Sequence, residues 1–457
     1  MSCRSPSTSS LSDRIRDLPD EFSRTQVGEP VAGPWWLDFQ SPELNALILH
    51  AFSGNLSLAE TEARLRQSVA EARKAGASVW PDLAGNATVG DNRIHKADVL
   101  QDLTARDYSL GLAASYELDL WGRVRESRRI VSRQAEASRF DLETAAITLA
   151  GSVAEIWVRI LEQNTQIHLL VEQIRSIQRT LDLLKLRQLK GQANALDVYQ
   201  QAQIAAATEA LLPQARAEAR ILRTQLALLL GRARGAPVEL TQAELPTLPD
   251  LPDLGLPADL LIHRPDVRAA LSRIEAAESG VRVAQADRLP AIRLTGRAAF
   301  NSDSVDSLFD NWILNLAAGL TAPLLDGGRR TAEAERTRAV TDERLAQYRR
   351  VALTAFSEVE NALARDLQIR DQLAATERQL QFSRQALRES ETRYGKGALE
   401  YLPVLTALSA VQRLERSVLS LHRDRLIQRI ALYRALGGRW TDPESGRPVG
   451  SPSRPKD

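Results

Sequence analysis

The chain repeats itself at a fixed offset. Gly122-Arg123 recurs as Gly328-Arg329, Arg187 as Arg393, Lys190-Gly191 as Lys396-Gly397, Leu196 and Val198 as Leu402 and Val404, and Leu230-Gly231 as Leu436-Gly437. Every pair is 206 positions apart, over more than 100 residues. Such a constant offset marks a duplicated structural unit, so what one half builds the other must build again. Pro81 and Pro290 match at 209, which places a three-residue length difference ahead of the Gly-Arg pair in one half.

Proline spacing says what each half builds. After Pro81 the next proline is Pro213, and after Pro323 the next is Pro403. Proline breaks helix interiors by removing a donor and crowding the preceding turn. Between Arg123 and Lys190 the only glycine is Gly151, and between Arg329 and Tyr394 there is none. These spans predict two long helices, about 121–189 and 327–394, each roughly 100 Å long at ~1.5 Å per residue. Ile160, Ile167, Ile174 and Leu181 recur every seven residues, interleaved with Leu170, Ile177 and Leu184, which is the seam of a coiled coil. Leu373, Leu380, Leu387 and Tyr394 give one such column in the second helix, with a poor companion.

Ahead of each long helix the period changes from seven to two. Tyr108, Leu110, Leu112, Ala114, Tyr116 and Leu118 alternate with small or polar residues, as do Ile292 to Phe300 and Trp312 to Leu320, and Leu83 to Val89 more weakly. Period two over roughly ten residues predicts strands with one apolar face, paired as hairpins about 82–119 and 291–323. Two readings fit: hairpins packed on their own helices, or strands of a lipid-facing barrel shared among chains, for which ~9–11 alternating residues suffice. Return helices are expected at about 194–231 and 399–437. The halves divide as 33–231 and 266–440, joined by a linker at 232–265 with five prolines between Pro237 and Pro257. Residues 1–32 read as an extended tether and 441–457 as a disordered tail.

Composition removes several function classes. The 59 basic and 58 acidic residues leave a net charge of +1, so no nucleic-acid partner is expected. One cysteine excludes an internal disulfide. No apolar run approaches the ~20 residues of a membrane-spanning helix. His50, His95, His168, His263 and His422 are scattered, no serine sits in a nucleophile elbow, and no glycine-rich phosphate loop opens a helix. Neither a metal, nor a cofactor, nor an enzymatic activity is expected.

Several local motifs stand in order along this frame: Tyr116-Glu117-Leu118-Asp119-Leu120-Trp121-Gly122-Arg123 and its mate Leu324-Leu325-Asp326-Gly327-Gly328-Arg329, then His263-Arg264-Pro265-Asp266-Val267-Arg268, Arg393-Tyr394-Gly395-Lys396-Gly397, and Ala435-Leu436-Gly437-Gly438 with Trp440. Trp36, Phe39, Leu44 and Asn55 fit the opening helices. With the duplication, this set resembles the TolC-like outer-membrane factors of tripartite efflux systems, in their lipoprotein branch, over roughly residues 33–440. The resemblance implies a mainly α fold with a small β part. It implies a homotrimer in which each protomer gives four strands to a shared twelve-stranded barrel in outer-membrane lipid, and coiled-coil helices to a periplasmic α-barrel. Segments near 41–52 and 237–265 would form an equatorial collar. The implied function is a passive conduit for drugs or other toxic small molecules, partnered by a periplasmic adaptor and an inner-membrane pump of the resistance-nodulation-division type. The exit duct of a protein-secretion system and a soluble coiled-coil scaffold are the alternatives.

Individual residues then take expected roles. Asp119, Gly122 and Arg123, and Asp326, Gly327, Gly328 and Arg329, form the strand-to-helix turns, the aspartate capping orphan amides. Tyr116, Trp121 and Trp312 are expected in an aromatic girdle at the inner membrane interface, with a buried packing role as the other reading of Trp121. Lys190, Gly191, Gln192 and Ala193, and Lys396, Gly397, Ala398 and Leu399, close the long helices as C-caps; the resemblance makes them the tips that meet the adaptor. It also makes Arg393, Tyr394 and Leu402 a periplasmic gate. Where a related branch carries an acidic ring residue, this chain has Thr406, so the expected closure is steric and hydrogen-bonded. Asp197 is either a gate partner for a basic residue or an ordinary first-turn carboxylate. Cys3, followed by the polar stretch Arg4 to Ser12, is the expected site of a lipid anchor such as palmitate, although only Met1-Ser2 precede it.

Overall fold

The computed structural model describes residues 22–23, 34–94, 103–232, 238–254 and 256–438. The order is a 3-10 turn (Trp35–Phe39), α1 (Pro42–Gly54), α2 (Leu56–Ala77), β1 (Asp82–Ile94), β2 (Leu103–Leu118), α3 (Arg123–Leu189), α4 (Ala195–Glu209), α5 (Leu211–Leu229), α6 (Pro257–His263), α7 (Pro265–Ala286), β3 (Ala291–Ser302), β4 (Trp312–Thr321), α8 (Arg329–Gly395) and α9 (Tyr401–Ala435). Cys3, Trp440 and the tail 441–457 lie outside the described residues.

The duplication is visible in the backbone. Gly122 and Gly328, Gly191 and Gly397, and Gly231 and Gly437 all adopt positive φ, between 68° and 84°. Four of them close helices in the same way. At the end of α3 the Gln192 amide donates to the Arg187 carbonyl at 2.8 Å and that of Gly191 to Gln188 at 2.9 Å; at the end of α8 Ala398 donates to Arg393 at 3.0 Å and Gly397 to Tyr394 at 2.9 Å. These are Schellman caps, which need a residue free to turn left-handed. Arg232 to Ala227 and Gly438 to Tyr433 repeat the six-to-one bond after α5 and α9.

The chain forms two compact units, one of residues 1–62, 141–267 and 351–457, the other of 63–140 and 268–350. The core of the first gathers Trp35, Trp36 and Phe39, Leu44 and Ile48 of α1, Ala150, Val153, Trp157 and Leu161 of α3, Leu222 and Leu226 of α5, and Ile430 and Tyr433 of α9. Trp35 stacks on Tyr433 at 5.5 Å between ring centres. The proline-rich linker is pinned to this core: Glu43 accepts from the Thr241 amide at 2.6 Å, from its hydroxyl at 2.8 Å and from the Trp157 indole at 3.0 Å. Within the expected N-terminal tether, Phe22 is buried and stacks on Phe356 at 5.6 Å.

Two features depart from expectation. The return segment expected as one helix over 194–231 is two, parted at Ala210; Pro213 lacks the N–H that would have bonded back across that point. By length and composition α3 also contains an 18-residue stretch apolar enough to cross a membrane, where no such helix was expected; 61% of it is buried in the fold, as in a core helix.

The second unit holds the sheet. Its order is β1-β2-β3-β4, antiparallel throughout.

Candidate functional site

Register makes the sheet two-faced. Leu83, Ala114, Gly296 and Leu316 stand in one row across the four strands; Gly85, Leu112, Ala298 and Leu314 form the next; Ala87, Leu110, Phe300 and Trp312 a third. On the opposite face the rows read Ala84, Ala113, Arg297 and Asn315, then Ser115, Thr295 and Ala317, then Glu117, Arg293 and Gly319. A strand alternates its side chains between faces, so the period-two pattern of each strand adds to one apolar and one polar surface. The apolar rows are uncovered: Leu83 is 67% exposed, Leu314 57% and Leu316 77%, and every residue of β4 is exposed. Among the described residues, strands β1 and β4 each have one free edge. An apolar face of this kind in water, with open edges, is a strong drive to associate.

The register also corrects the aromatic girdle. Trp312 pairs with Phe300, whereas Leu118, three residues before Trp121, pairs with Ile292 and through it with Leu320. Eight residues separate Trp312 from Leu320, about 27 Å at ~3.4 Å each. Trp312 and Trp121 therefore mark opposite ends of the strands. Trp121 is 51% exposed, not buried, and its indole N–H donates to the Pro290 carbonyl at 2.7 Å.

The strand-to-helix turns are capped by aspartates. Asp119 accepts from the Val124 amide at 2.9 Å and from the Arg125 amide and Nε, both at 3.0 Å. Asp326 accepts from the Gly328 amide at 3.1 Å and the Arg330 amide at 3.3 Å. Burial raises the Asp119 pKa, but these amides and the Arg125 guanidinium outweigh it and hold the carboxyl below its usual range. Arg123 turns back to Glu117, with contacts at 2.8 and 2.7 Å. Gly327 and Gly328 both take positive φ with open space where a Cβ would stand.

The two helical tips are brought together. Ile177, Leu181 and Leu184 of α3 pack with Val198 and Ala205 of α4 and with Tyr401, Val404 and Leu405 of α9, and Ala193 and Tyr394 rest against them. Lys190, Gly191 and Gln192, and Lys396, Gly397 and Ala398, are exposed; Leu399 is half-buried. The Tyr394 ring lies 4.9 Å from that of Tyr401, with the Arg187 guanidinium 5.4 Å above it. Arg393 is drawn to Glu389 one turn earlier at 2.6 Å, Leu402 is exposed, and the Thr406 hydroxyl donates to the Leu402 carbonyl at 3.0 Å. Asp197 sits in the first turn of α4 and has no ion-pair partner among the described residues. Arg393 and Asp197 are thus not joined within one chain.

Two kinds of residue escaped the sequence pattern, and a third, Arg264, stood in the His263 to Arg268 motif without a role. Gln201 is fully buried between the tips and holds Ile177 and Tyr401. A polar stripe runs between α3 and α9: Gln166 donates to Glu162 and to the Arg416 carbonyl, both at 3.1 Å, and Arg416 donates to Gln173 at 2.6 Å. Buried Arg264 fans out to Asp266 at 3.0 and 2.6 Å, Glu358 at 2.7 Å and the Ala435 carbonyl at 2.9 Å. Burial lowers the Arg264 pKa, but these carboxylates reverse it and leave the guanidinium above its usual range.

A mainly helical chain that carries one small antiparallel sheet, apolar on one face and open at both edges, has the make-up of an outer-membrane channel subunit, not of a self-contained globular fold. The chain belongs to the outer membrane efflux protein family, whose model matches residues 47–232 and 256–438. It is 33% identical over 417 residues to the pyoverdine export outer membrane protein OpmQ of Pseudomonas putida, covering 89% of this chain and 88% of that one. It is 30% identical over 429 residues to the toluene efflux pump outer membrane protein TtgF of Pseudomonas putida, covering 91% and 87%. Among solved structures, the outer-membrane channel OprN superposes with a TM-score of 0.86 at 27% identity, covering 94% of this chain and 96% of that one.

Proposed function

We propose that three copies of this chain close their sheets into one twelve-stranded barrel across the outer membrane and act as the passive exit conduit of a tripartite efflux pump. The observation that carries this reading is the sheet: four strands, two free edges among the described residues, and apolar rows in register and exposed. Joining β4 of one copy to β1 of the next removes both edges and leaves the apolar face to lipid and the polar face, with Arg293 and Arg297, to the lumen. A heterologous contact of that kind closes into a ring when three equal rotations complete a full turn.

The conduit takes small toxic compounds handed over by an inner-membrane pump through a periplasmic adaptor. The relatives' names pair the same architecture with substrates as unlike as pyoverdine and toluene, which favours a duct that leaves selection to its partners. The tips, Lys190 to Ala193 and Lys396 to Leu399, are the adaptor contacts. Leu402, Arg393 and Tyr394, with Thr406 in place of an acid, narrow the periplasmic entrance, and Asp197 meets a base of a neighbouring copy. Cys3 bears the acyl anchor.

The test is membrane-extracted protein on a denaturing gel with and without heating, followed by planar bilayers. A heat-sensitive trimer that conducts is expected. A water-soluble monomer without conductance would remove the reading. For the gate, Leu402→Ala with Arg393→Ala should raise vancomycin sensitivity and conductance; no change in either would sink it. An unmodified Cys3 in the mass spectrum of the membrane-extracted chain would dismiss the anchor.

A further inference from the structure

Where β2 gives way to α3, and α7 gives way to β3, the second unit has a cleft of about 620 Å³ lined by Trp121, Arg125, Arg129, Arg282, Gln285 and Leu289. One wall is apolar and open: Trp121, held by its bond to Pro290, and Leu289 are exposed, as is Leu120 next in sequence. The other wall is cationic. The carboxylates facing its guanidiniums are Asp119, 3.0 Å from Arg125, and Glu126, 2.8 Å from Arg282 and 3.6 Å from Arg129. Three guanidiniums against two carboxylates leave one positive charge. Arg123 adds nothing to it: with Arg293, 3.8 Å from the same Glu117, it balances Glu117 at 2.7 Å and Asp287 at 3.8 Å. The first amides of α3 add nothing either, since Asp119 has already claimed those of Val124 and Arg125.

We propose that this cleft binds the phosphodiester headgroup of an anionic glycerophospholipid, with Arg129 and Arg282 as donors, Trp121 and Leu289 along the glycerol, and the acyl chains leading onto the apolar rows of the sheet. The inference rests on the sheet lying in a bilayer. A singly charged phosphodiester neutralises the surplus charge. The nearest carboxylate to Arg129 stands beyond hydrogen-bond range, so the guanidinium has donors to give, and a charge-assisted bond to phosphate is among the stronger ones available. A free phosphate would use the cationic wall alone. The apolar wall, whose Trp121 and Leu289 stand three residues after Leu118 of β2 and two before Ala291 of β3, selects a molecule with a tail.

The experiment places the full chain in nanodiscs of phosphatidylcholine with a minor fraction of phosphatidylglycerol and counts retained lipids by native mass spectrometry. The wild type should retain phosphatidylglycerol over phosphatidylcholine by about tenfold. Arg129→Gln should abolish that preference, Arg282→Gln likewise, and Trp121→Ala should weaken retention of both lipids. Arg93→Gln, at the far end of β1, should change nothing. Arg282 also pairs with Glu126, so Arg129→Gln, the less entangled variant, decides the matter. Undiminished preference in Arg129→Gln would overturn the proposal, and so would displacement of the lipid by inorganic phosphate. A chain that fails to enter the nanodiscs would instead remove the membrane reading beneath it, an outcome visible before any lipid is counted.

Discussion

The Tyr401 hydroxyl donates to Gln201 Oε1 at 2.9 Å, and Gln201 Nε2 passes the connection to the Ile177 carbonyl at 3.0 Å. One amide thereby ties α4 to both α3 and α9 inside a buried cluster. Burial, with Tyr394, Asp197 and Glu391 nearby, raises the Tyr401 pKa, so the hydroxyl keeps its proton well into the alkaline range. Gln201→Leu strands the Tyr401 hydroxyl, while the Ile177 carbonyl keeps its bond within α3, and an unmade buried bond costs about 1–3 kcal/mol. Amide exchange at both tips should accelerate, with the sheet unaffected; unchanged tip protection would mean the bond is idle. A raised folded pKa also means that Tyr401 stabilises fully below its ordinary value of ~10 and loses that contribution only as pH climbs through the elevated one.

Glycines in the same motif should respond unequally. Gly231 and Gly397 both end helices at positive φ, 68° and 72°. A Cβ at Gly231 would stand 1.8 Å from the Gly54 carbonyl oxygen, while one at Gly397 would meet nothing within 4 Å. Gly397→Ala should cost about 1 kcal/mol from backbone conformation alone. Gly231→Ala must also displace α1, at about 3 kcal/mol or more in all. Thermal melts in detergent should separate the two clearly, and equal melting points would refute the contrast.

Adjacent residues of β4 should sort by face. Leu316→Lys puts a cation in an outward apolar row, at about 2–4 kcal/mol if that row meets lipid near the midplane. Ala317→Lys, one residue on, joins the row of Thr295 and Ser115 and should be nearly neutral. Urea titration of folding into liposomes measures both. Equal penalties would argue against a lipid-facing side.

Acid should loosen the strand-to-helix turns before the helices. Asp119 and Asp326 both have lowered pKa values; burial opposes this in each, and amide donors with a neighbouring arginine prevail. A depressed carboxylate stabilises above its unfolded pKa, ~3.9, and loses that contribution as pH falls through the lower folded value. Exchange of the Val124 and Arg125 amides should therefore rise below about pH 4. Asp119→Ala should abolish the pH dependence at the first turn and cost about 1 kcal/mol. A mutant that still shows the acid transition at Val124 would rule out this origin.

Much of this fold was legible because its hardest constraints are backbone constraints. Among the described residues, six of the seven positive-φ glycines are three pairs at the offset of 206, and only glycine takes that conformation at little cost. The seam of α3 was plain in one column, with Leu170, Ile177 and Leu184 all buried; in the other Ile160 and Leu181 are buried, but Ile167 and Ile174 are only half-buried beside buried Gln166 and Gln173. The seam of α8 was not. Its companion column includes Ala355 and Ala362, and Asp366 continues the leucine column, buried and paired with Arg429 at 3.5 Å. Alanine carries little periodic signal, and an acid in a heptad column reads as surface until its partner is seen. Gln201 gave no warning for the same reason: its duplicate position is Ala407. Trp312 was assigned to the wrong end because composition names an interface residue while only register says which interface.

The helices α3 and α8 each run for 67 residues. Inserting one residue into either would spin everything beyond it by about 100° and swing its terminal glycine turn off the shared cluster at the tips. Length can change only in whole heptads taken by both halves together. The gene duplication thus works as a ruler, and lineages of this chain should differ in stalk length by matched multiples of about seven residues or not at all.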